Sequence, residues 1–218
     1  MKDIAIYGAG GFGREVACLI RAINKVESRW NLIGYFDDVQ IKGEDNGFGR
    51  ILGGIDDLNA YDKALSIVMA IGTPTVVAAI VSRIDNSYID FPNIIAPDII
   101  YLDTSTLVMG KGNLVMFQSL ISCNVTMGDF NLLNCGVSLG HETKLGSYNA
   151  FMSYVKISGD VKIEDSNYFG VCSVVLQKMK IGNNTTIGTN SVIMRKTKDN
   201  TTYFGNPAVP ILKPNINK

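Results

Sequence analysis

The sequence holds one histidine in 218 residues, and a glutamate follows it directly, in Leu139-Gly140-His141-Glu142. Imidazole is suited to take and return a proton near neutral pH. A carboxylate on its second nitrogen fixes the tautomer and raises its basicity. A lone histidine is more often structural, so the pair matters only if the two side chains can meet. Neighbours on a strand point to opposite faces, which leaves a solvated Glu142 as the plain alternative. Eighteen residues on stands Gly159, whose N–H could face charge developing on an oxygen. A glycine that only turns a corner explains Gly159 equally well. No serine or cysteine has a second histidine to activate it, which argues against a covalent acyl intermediate.

A second candidate site lies near the start of the chain. Lys2–Tyr7 reads as a buried strand, Gly8-Ala9-Gly10-Gly11-Phe12-Gly13 follows it, and Arg14 to about Asn24 reads as a helix. Glycines there let backbone approach a phosphate, and the helix N-terminus supplies N–H groups and positive potential. Asp37 and Asp38 close a second strand, Asn31–Phe36, at a spacing that suits a ribose or base contact. The glycine pattern is weak by itself, and packing alone would also account for it. A third strand over 65–71, a helix over 76–84 and a last strand over 88–95 complete an expected Rossmann-like α/β domain with a parallel sheet. At about 90 residues this is half the size of a full dinucleotide fold. Binding of a nucleotide-linked ligand therefore fits better than hydride chemistry, although tight NAD binding would favour a nicotinamide enzyme.

A strict repeat must position His141. From Met109 to Ile193 an apolar residue returns at every sixth position, fifteen times without a slip. Neither the helical nor the strand period gives six, and a fixed short period marks a solenoid, here a parallel β-helix. A slower repeat of eighteen (MGKGN, MGDFN, LGSYN, IEDSN, IGNNT) makes each coil a triangle of three short strands. Gly110, Gly128, Gly146 and Gly182 are expected to stack at one corner, where a residue without Cβ turns cheaply. The sixth positions separate the faces. One carries Thr126, Lys144, Lys162, Lys180 and Lys198, the second Leu114, Leu132, Ala150 and Tyr168, and the third Leu120, Val174 and Val192. Apolar residues repeated outside predict burial against another chain, and a triangular prism suits a threefold homotrimer. The expected domains are residues 1–92, an α/β domain suited to a nucleotide-linked ligand, and residues 93–218, a β-helix with a short C-terminal tail.

Lysine plus arginine balance aspartate plus glutamate at 20 each, so nothing suggests nucleic acid or an anionic membrane as partner. No apolar run reaches the roughly 20 residues of a membrane span. Four scattered cysteines without a CxxC read as reduced, buried thiols, and the N-terminus lacks a signal-peptide pattern, so a cytoplasmic protein is expected.

Taken together, IYGAGGFGREV (6–16), GYFDD (34–38), MAIGT (69–73), the hexads, LGHE (139–142) and FGNPA (204–208) resemble the bacterial sugar acyltransferases. These are related to sialic-acid O-acetyltransferases and to N-acetyltransferases of nucleotide-linked 4-amino sugars. The resemblance covers nearly the whole chain. It implies a left-handed coil, a homotrimer, acetyl-CoA bound between subunits, no metal, and direct transfer to an amine of a UDP- or dTDP-linked 4-amino-4,6-dideoxy sugar. It also implies His141 as base, Glu142 as its helper and Gly159 as oxyanion donor. Substrate contacts would fall to Gly10, Gly11, Phe12, Asp37, Asp38 and Gly72, and cofactor contacts to Gly159, Val171, Thr189, Asn206 and Pro207. Two departures stand out. Some members have a second histidine nine residues after the base, where this chain has Ala150, and Val209 replaces a frequent basic residue after the NPA turn. Transfer to a sugar hydroxyl, or nucleotide-sugar binding without catalysis, are the alternatives.

Overall fold

The computed structural model describes residues 1–211. The expected C-terminal tail, residues 212–218, lies outside them. Contacts divide the chain into two compact units, Met1–Pro97 with Lys111–Leu114, and Asp98–Gly110 with the chain from Val115 onward.

The first unit is an α/β domain built from β1 (Lys2–Tyr7), α1 (Gly11–Val26), β2 (Trp30–Phe36), β3 (Ile51–Gly53), α2 (Ile55–Asn59), β4 (Leu65–Met69), α3 (Pro74–Arg83) and β5 (Ile89–Asp90). The sheet order is β3-β2-β1-β4-β5, and every pairing is parallel. Ile4, Ile6, Tyr35, Phe36, Ile67 and Val68 fill its core. Helix α1 begins at Gly11, three residues earlier than expected, with Gly10 at the N-cap position and its carbonyl accepting from the Arg14 amide (3.2 Å). The expected strand over 88–95 is two short pieces, Ile89–Asp90 and Ile94–Ile95, divided around Pro92, which has no amide to give a ladder. Strand β3 and helix α2 went unpredicted, since three and five residues carry too little periodicity to read.

The second unit is a left-handed parallel β-helix of two-residue strands, an exception to the right-handed crossover preference. Lys144–Leu145 pairs with Lys162–Ile163 and Lys162–Ile163 with Lys180–Ile181, so residues eighteen apart stack in register. Fourteen of the fifteen sixth-position residues are buried, and only Met109, the first of them, is half-covered. Phe151 and Phe169 stack inside at 4.5 Å between ring centroids, close to the spacing of adjacent strands.

What bends the chain differs from the expectation. Twelve non-glycine residues with φ between 48° and 63° return every six positions from Gln118 to Asn190, with Gly136 filling one slot. At most of these corners the amide donates to a carbonyl of the coil below: Glu142 to Cys123 O (3.1 Å), Asp160 to His141 O (2.7 Å), Lys178 to Gly159 O (3.1 Å). Left-handed backbone costs about 1–2 kcal/mol for most residues, and this bond offsets it. Gly110, Gly128, Gly146 and Gly182 are not left-handed. They make room for the next coil, because a Cβ on Gly110 or Gly146 would strike Asp129 or Asp165, respectively.

The interior is also not wholly aliphatic. Asn131, Asn149, Asn167 and Thr185 form a buried ladder along one corner. The Asn131 side-chain carbonyl accepts from the Asn149 amide (3.0 Å) and Nδ2 (3.1 Å), Asn149 does the same for Asn167 (3.0 and 3.0 Å), and Asn167 accepts from the Thr185 amide (2.7 Å). Such satisfied side chains can sit in a core that would reject them unpaired. Further corrections concern the outside. Leu132 and Ala150 are buried within the single chain, so their column needs no second chain to cover it, whereas Leu120, Val174 and Val192 are half-exposed. Lys198 falls outside the lysine face, whose last strand is Lys180–Ile181, and its amide instead donates to the Tyr203 hydroxyl (2.9 Å). Cys18 and Cys172 are exposed rather than buried, the first on the outer side of α1 and the second at a left-handed corner.

Asn149→Ala should lower unfolding free energy by about 2–3 kcal/mol, because the buried Asn167 amide loses its acceptor. Urea denaturation reads this directly, and an unchanged midpoint would contradict a structural role for the ladder.

Candidate functional site

The coil gathers the expected catalytic residues at one corner, between the third face and the lysine face. His141 follows the strand Ser138–Leu139, and Gly159 follows Lys156–Ile157 one coil on. Glu142 is one of the left-handed residues, at φ 54°. This reverses the strand rule that would send neighbouring side chains apart, and Glu142 Oε2 meets His141 Nδ1. Both side chains are about half exposed, 50% and 48%. In a neutral imidazole that donates from Nδ1 to this carboxylate, Nε2 is the acceptor. Glu142 Oε1 accepts from Asn124 Nδ2 at 3.2 Å. The bond with His141, and then that from Asn124, hold the Glu142 carboxyl below the ordinary carboxylate range.

Gly159 lies against the imidazole from the next coil. A Cβ built there would collide with Nε2 and with both ring carbons beside it, so only glycine leaves the ring its place. The Gly159 carbonyl accepts from the Lys178 amide, while its own N–H makes no hydrogen bond among the described residues. A proton acceptor and an unpaired backbone donor therefore stand together. Ala150, in contrast, is buried on the second face, away from this corner in the coil order.

The expected cofactor residues form a separate group. Val171 follows Tyr168–Phe169 and Thr189 follows Thr186–Ile187, which places both at the corner between the second and third faces. Both are exposed, and the Asn190 amide donates to Val171 O (2.9 Å). The antiparallel hairpin Thr202–Gly205 and Ala208–Ile211 turns at the exposed Asn206-Pro207 pair. It docks beside Thr189, with Phe204 over Gly188 and the Gly205 amide on Ser191 Oγ (3.0 Å). Within one chain this group and His141 occupy different corners.

In the α/β domain the glycines divide by role. Gly8 has φ 109° and sits where a Cβ would lie 2.7 Å from Ala70 O, and a Cβ on Gly13 would strike Gly8 O. Gly10 meets nothing within 4 Å, and Gly11 only the tip of Arg14, so both face open space. Phe12 and Gly72 are half-buried. Asp37 ties the loop down: Oδ2 accepts from the Ala9 amide (2.8 Å) and Oδ1 from Val39 (2.8 Å) and Gln40 (3.0 Å). Burial pushes its carboxyl up, but the three amides outweigh it and hold it below its ordinary 3.8.

Asp38 accepts from the Ile55 amide through Oδ1 (2.9 Å) and faces Arg83 Nη1 from Oδ2 at 3.6 Å. Asp38 and Arg83 stand at the edge of a cavity of about 460 Å³ whose walls include Val39, Ile71, Val76, Ala79 and Ile80. Buried Tyr7 also lines it, its phenol pushed up chiefly by burial and then by Asp38. Sequence reading missed Arg83, Tyr7 and Asn124. Only Asn124 had a signal, standing eighteen residues before Glu142. Among the described residues no helix is long and apolar enough to cross a membrane, and no cluster of histidine, cysteine, aspartate and glutamate could hold a metal ion.

Fold and site together define a class, an α/β domain joined to a hexapeptide-repeat β-helix with a histidine at one coil corner. Residues 3–84 match the family model described as the PglD N-terminal domain. No curated protein matches the chain. The acetyltransferase domain of PglB from Neisseria gonorrhoeae FA1090, in complex with acetyl coenzyme A, is 24% identical with a TM-score of 0.84 over 96% of this chain and 99% of that one. WeeI from Acinetobacter baumannii AYE is 24% identical, TM-score 0.87, over 97% and 100%. PerB from Caulobacter crescentus, in complex with CoA and GDP-perosamine, is 20% identical, TM-score 0.85, over 97% and 98%. At this identity the likeness shows a shared fold, matched nearly end to end.

At neutral pH the stabilisation from Asp37 is fully present, and it is lost as pH falls below 3.8 towards the lower folded-state value. Asp37→Ala should therefore cost about 1–3 kcal/mol at pH 7, with the gap to wild type closing in acid. Unfolding midpoints measured across pH check this, and parallel curves would contradict it.

Proposed function

We propose that the protein transfers the acetyl group of acetyl-CoA to the amine of a nucleotide-linked 4-amino-4,6-dideoxy sugar. The observation that carries this reading is the corner where His141 Nε2 lies over the unpaired amide of Gly159 while Nδ1 is held by Glu142. Two proteins of the same fold hold acetyl coenzyme A, or CoA with GDP-perosamine, which supports the same pair of substrates here.

The sugar amine attacks the thioester carbonyl carbon, and His141 Nε2 takes the proton the nitrogen must lose. Negative charge gathers on the carbonyl oxygen, where the Gly159 N–H can bind it. As the C–S bond breaks, the protonated imidazole returns its proton to the CoA sulfur, leaving an amide and free thiol. Glu142 stabilises the imidazolium in between. The nucleotide would occupy the cavity beside Gly8, with its phosphates over Gly10 and Gly11 and with Phe12 and Gly72 alongside. There the Asp38 carboxylate and the Arg83 guanidinium offer an acceptor beside donors. That pattern fits the imide edge of uracil, thymine or guanine, an N–H next to a carbonyl, and opposes cytosine. Asp37, its oxygens engaged, serves to shape the loop. Since Val171, Thr189, Asn206 and Pro207 sit at another corner, a homotrimer would set this group of one chain against His141 of the next. Acetyl-CoA as donor fits a cytoplasmic setting.

The test is thiol release from acetyl-CoA with UDP-, dTDP- and GDP-linked 4-amino sugars and CMP-sugars as controls, with sedimentation velocity reporting three chains. Release with an imide-base amino sugar is expected, together with an about 10²–10⁴-fold loss in His141→Ala at an unchanged thermal midpoint. Wild-type turnover in that variant would remove the base. Release only with hydroxyl acceptors would make it an O-acetyltransferase, and release with none a binding protein.

A further inference from the structure

The hydrogen bonds at the catalytic corner do not stop at Glu142. They continue down the prism, through the left-handed Asn124 to Thr106. The Asn124 amide donates to Thr106 Oγ1 (2.8 Å), and its side-chain Nδ2 donates to Glu142 Oε1 (3.2 Å). Asn124 has φ 55°, a conformation that asparagine tolerates better than most residues. Glu142 is thereby gripped at both oxygens, Oε1 by Asn124 and Oε2 by His141. Glu142 and Asn124 are both exposed, so without the second grip the carboxylate would turn among rotamers and share its time with water.

We infer that Asn124 is a positioning residue for the proposed transfer, acting from one coil below through Glu142 to fix the tautomer and direction of His141. The inference rests on the reading of His141 as the base. Its chemistry is specific. The side chain must donate, so the amide cannot become a carboxylate, and it must be short enough to lie along one coil rise. Thr106 anchors the Asn124 backbone, and the Asp103 carbonyl in turn accepts from Thr106 Oγ1 at 3.4 Å.

Two substitutions separate this role from support of the fold. Asn124→Gly keeps the left-handed corner, which glycine favours, and removes only the donor. Asn124→Asp keeps size and backbone but sets a second carboxylate against Glu142. The expected result is a kcat loss of about tenfold in Asn124→Gly and a larger loss in Asn124→Asp, with KM for both substrates unchanged. The Glu142 carboxyl, followed by ¹³C NMR, should titrate at higher pH in Asn124→Gly than in wild type, a readout independent of the reaction. Wild-type kcat in Asn124→Gly, an unmoved Glu142 titration, or losses that follow KM and thermal midpoint would overturn the inference. His141→Ala measured beside them separates the failures. An inactive His141→Ala with a fully active Asn124→Gly sinks the positioning role alone, whereas an active His141→Ala sinks both.

Discussion

The eighteen-residue register of the coil is the constraint from which the site follows. From Gly136 to Asn190 the left-handed corner amides bond to carbonyls nineteen residues earlier, and from Val108 to Ile193 the two-residue strands pair with those eighteen away. These bonds set the height of every corner against the next to within the length of a hydrogen bond. Columns of equivalent residues therefore become columns of contact. Asn124 reaches Glu142, His141 covers Gly159, and Asn131, Asn149 and Asn167 bond in series. A loop could bring the same side chains together only by ordering each separately, at about 1–2 kcal/mol of entropy per residue.

The same register explains how an exposed histidine keeps a fixed direction. A side chain is commonly held by burial and packing, but here the ring is half in solvent. Its direction is set by three neighbours in the column: glycine in the next coil, carboxylate beside, and through that carboxylate the asparagine one coil down. Left-handed φ at Glu142 is indispensable to this, since an extended residue there would turn the carboxylate away from the ring.

Much of this was legible in the sequence, and the reasons it was or was not are physical. The strict six and eighteen give the solenoid, because a repeat of inward side chains survives any change in the corners. They also place Gly159 over His141 by counting. What stayed hidden was backbone conformation. Residues as different as Gln118, Phe130 and Lys178 adopt left-handed φ, so side-chain type does not announce the corner. The asparagine ladder was visible as spacing, yet its burial is understood only once each carbonyl is seen to accept two N–H groups. In the α/β domain, strong apolar runs gave β1, β2, β4 and the two long helices, while β3 and α2 were too short to show. Arg83 could not be connected with Asp38 from sequence, because the sheet order that brings them together is a tertiary fact.

The most direct measurement of the central idea adds one methyl group. Gly159 is not left-handed, so Gly159→Ala brings no backbone strain, and the atoms in its way belong to a half-exposed ring that can swing aside. If stacked columns build the site, the variant keeps the thermal midpoint of the wild type and loses turnover about 10²-fold or more as the ring leaves its position. A Gly159→Ala protein that folds and turns over like wild type would show that the imidazole over Gly159 is not the working arrangement.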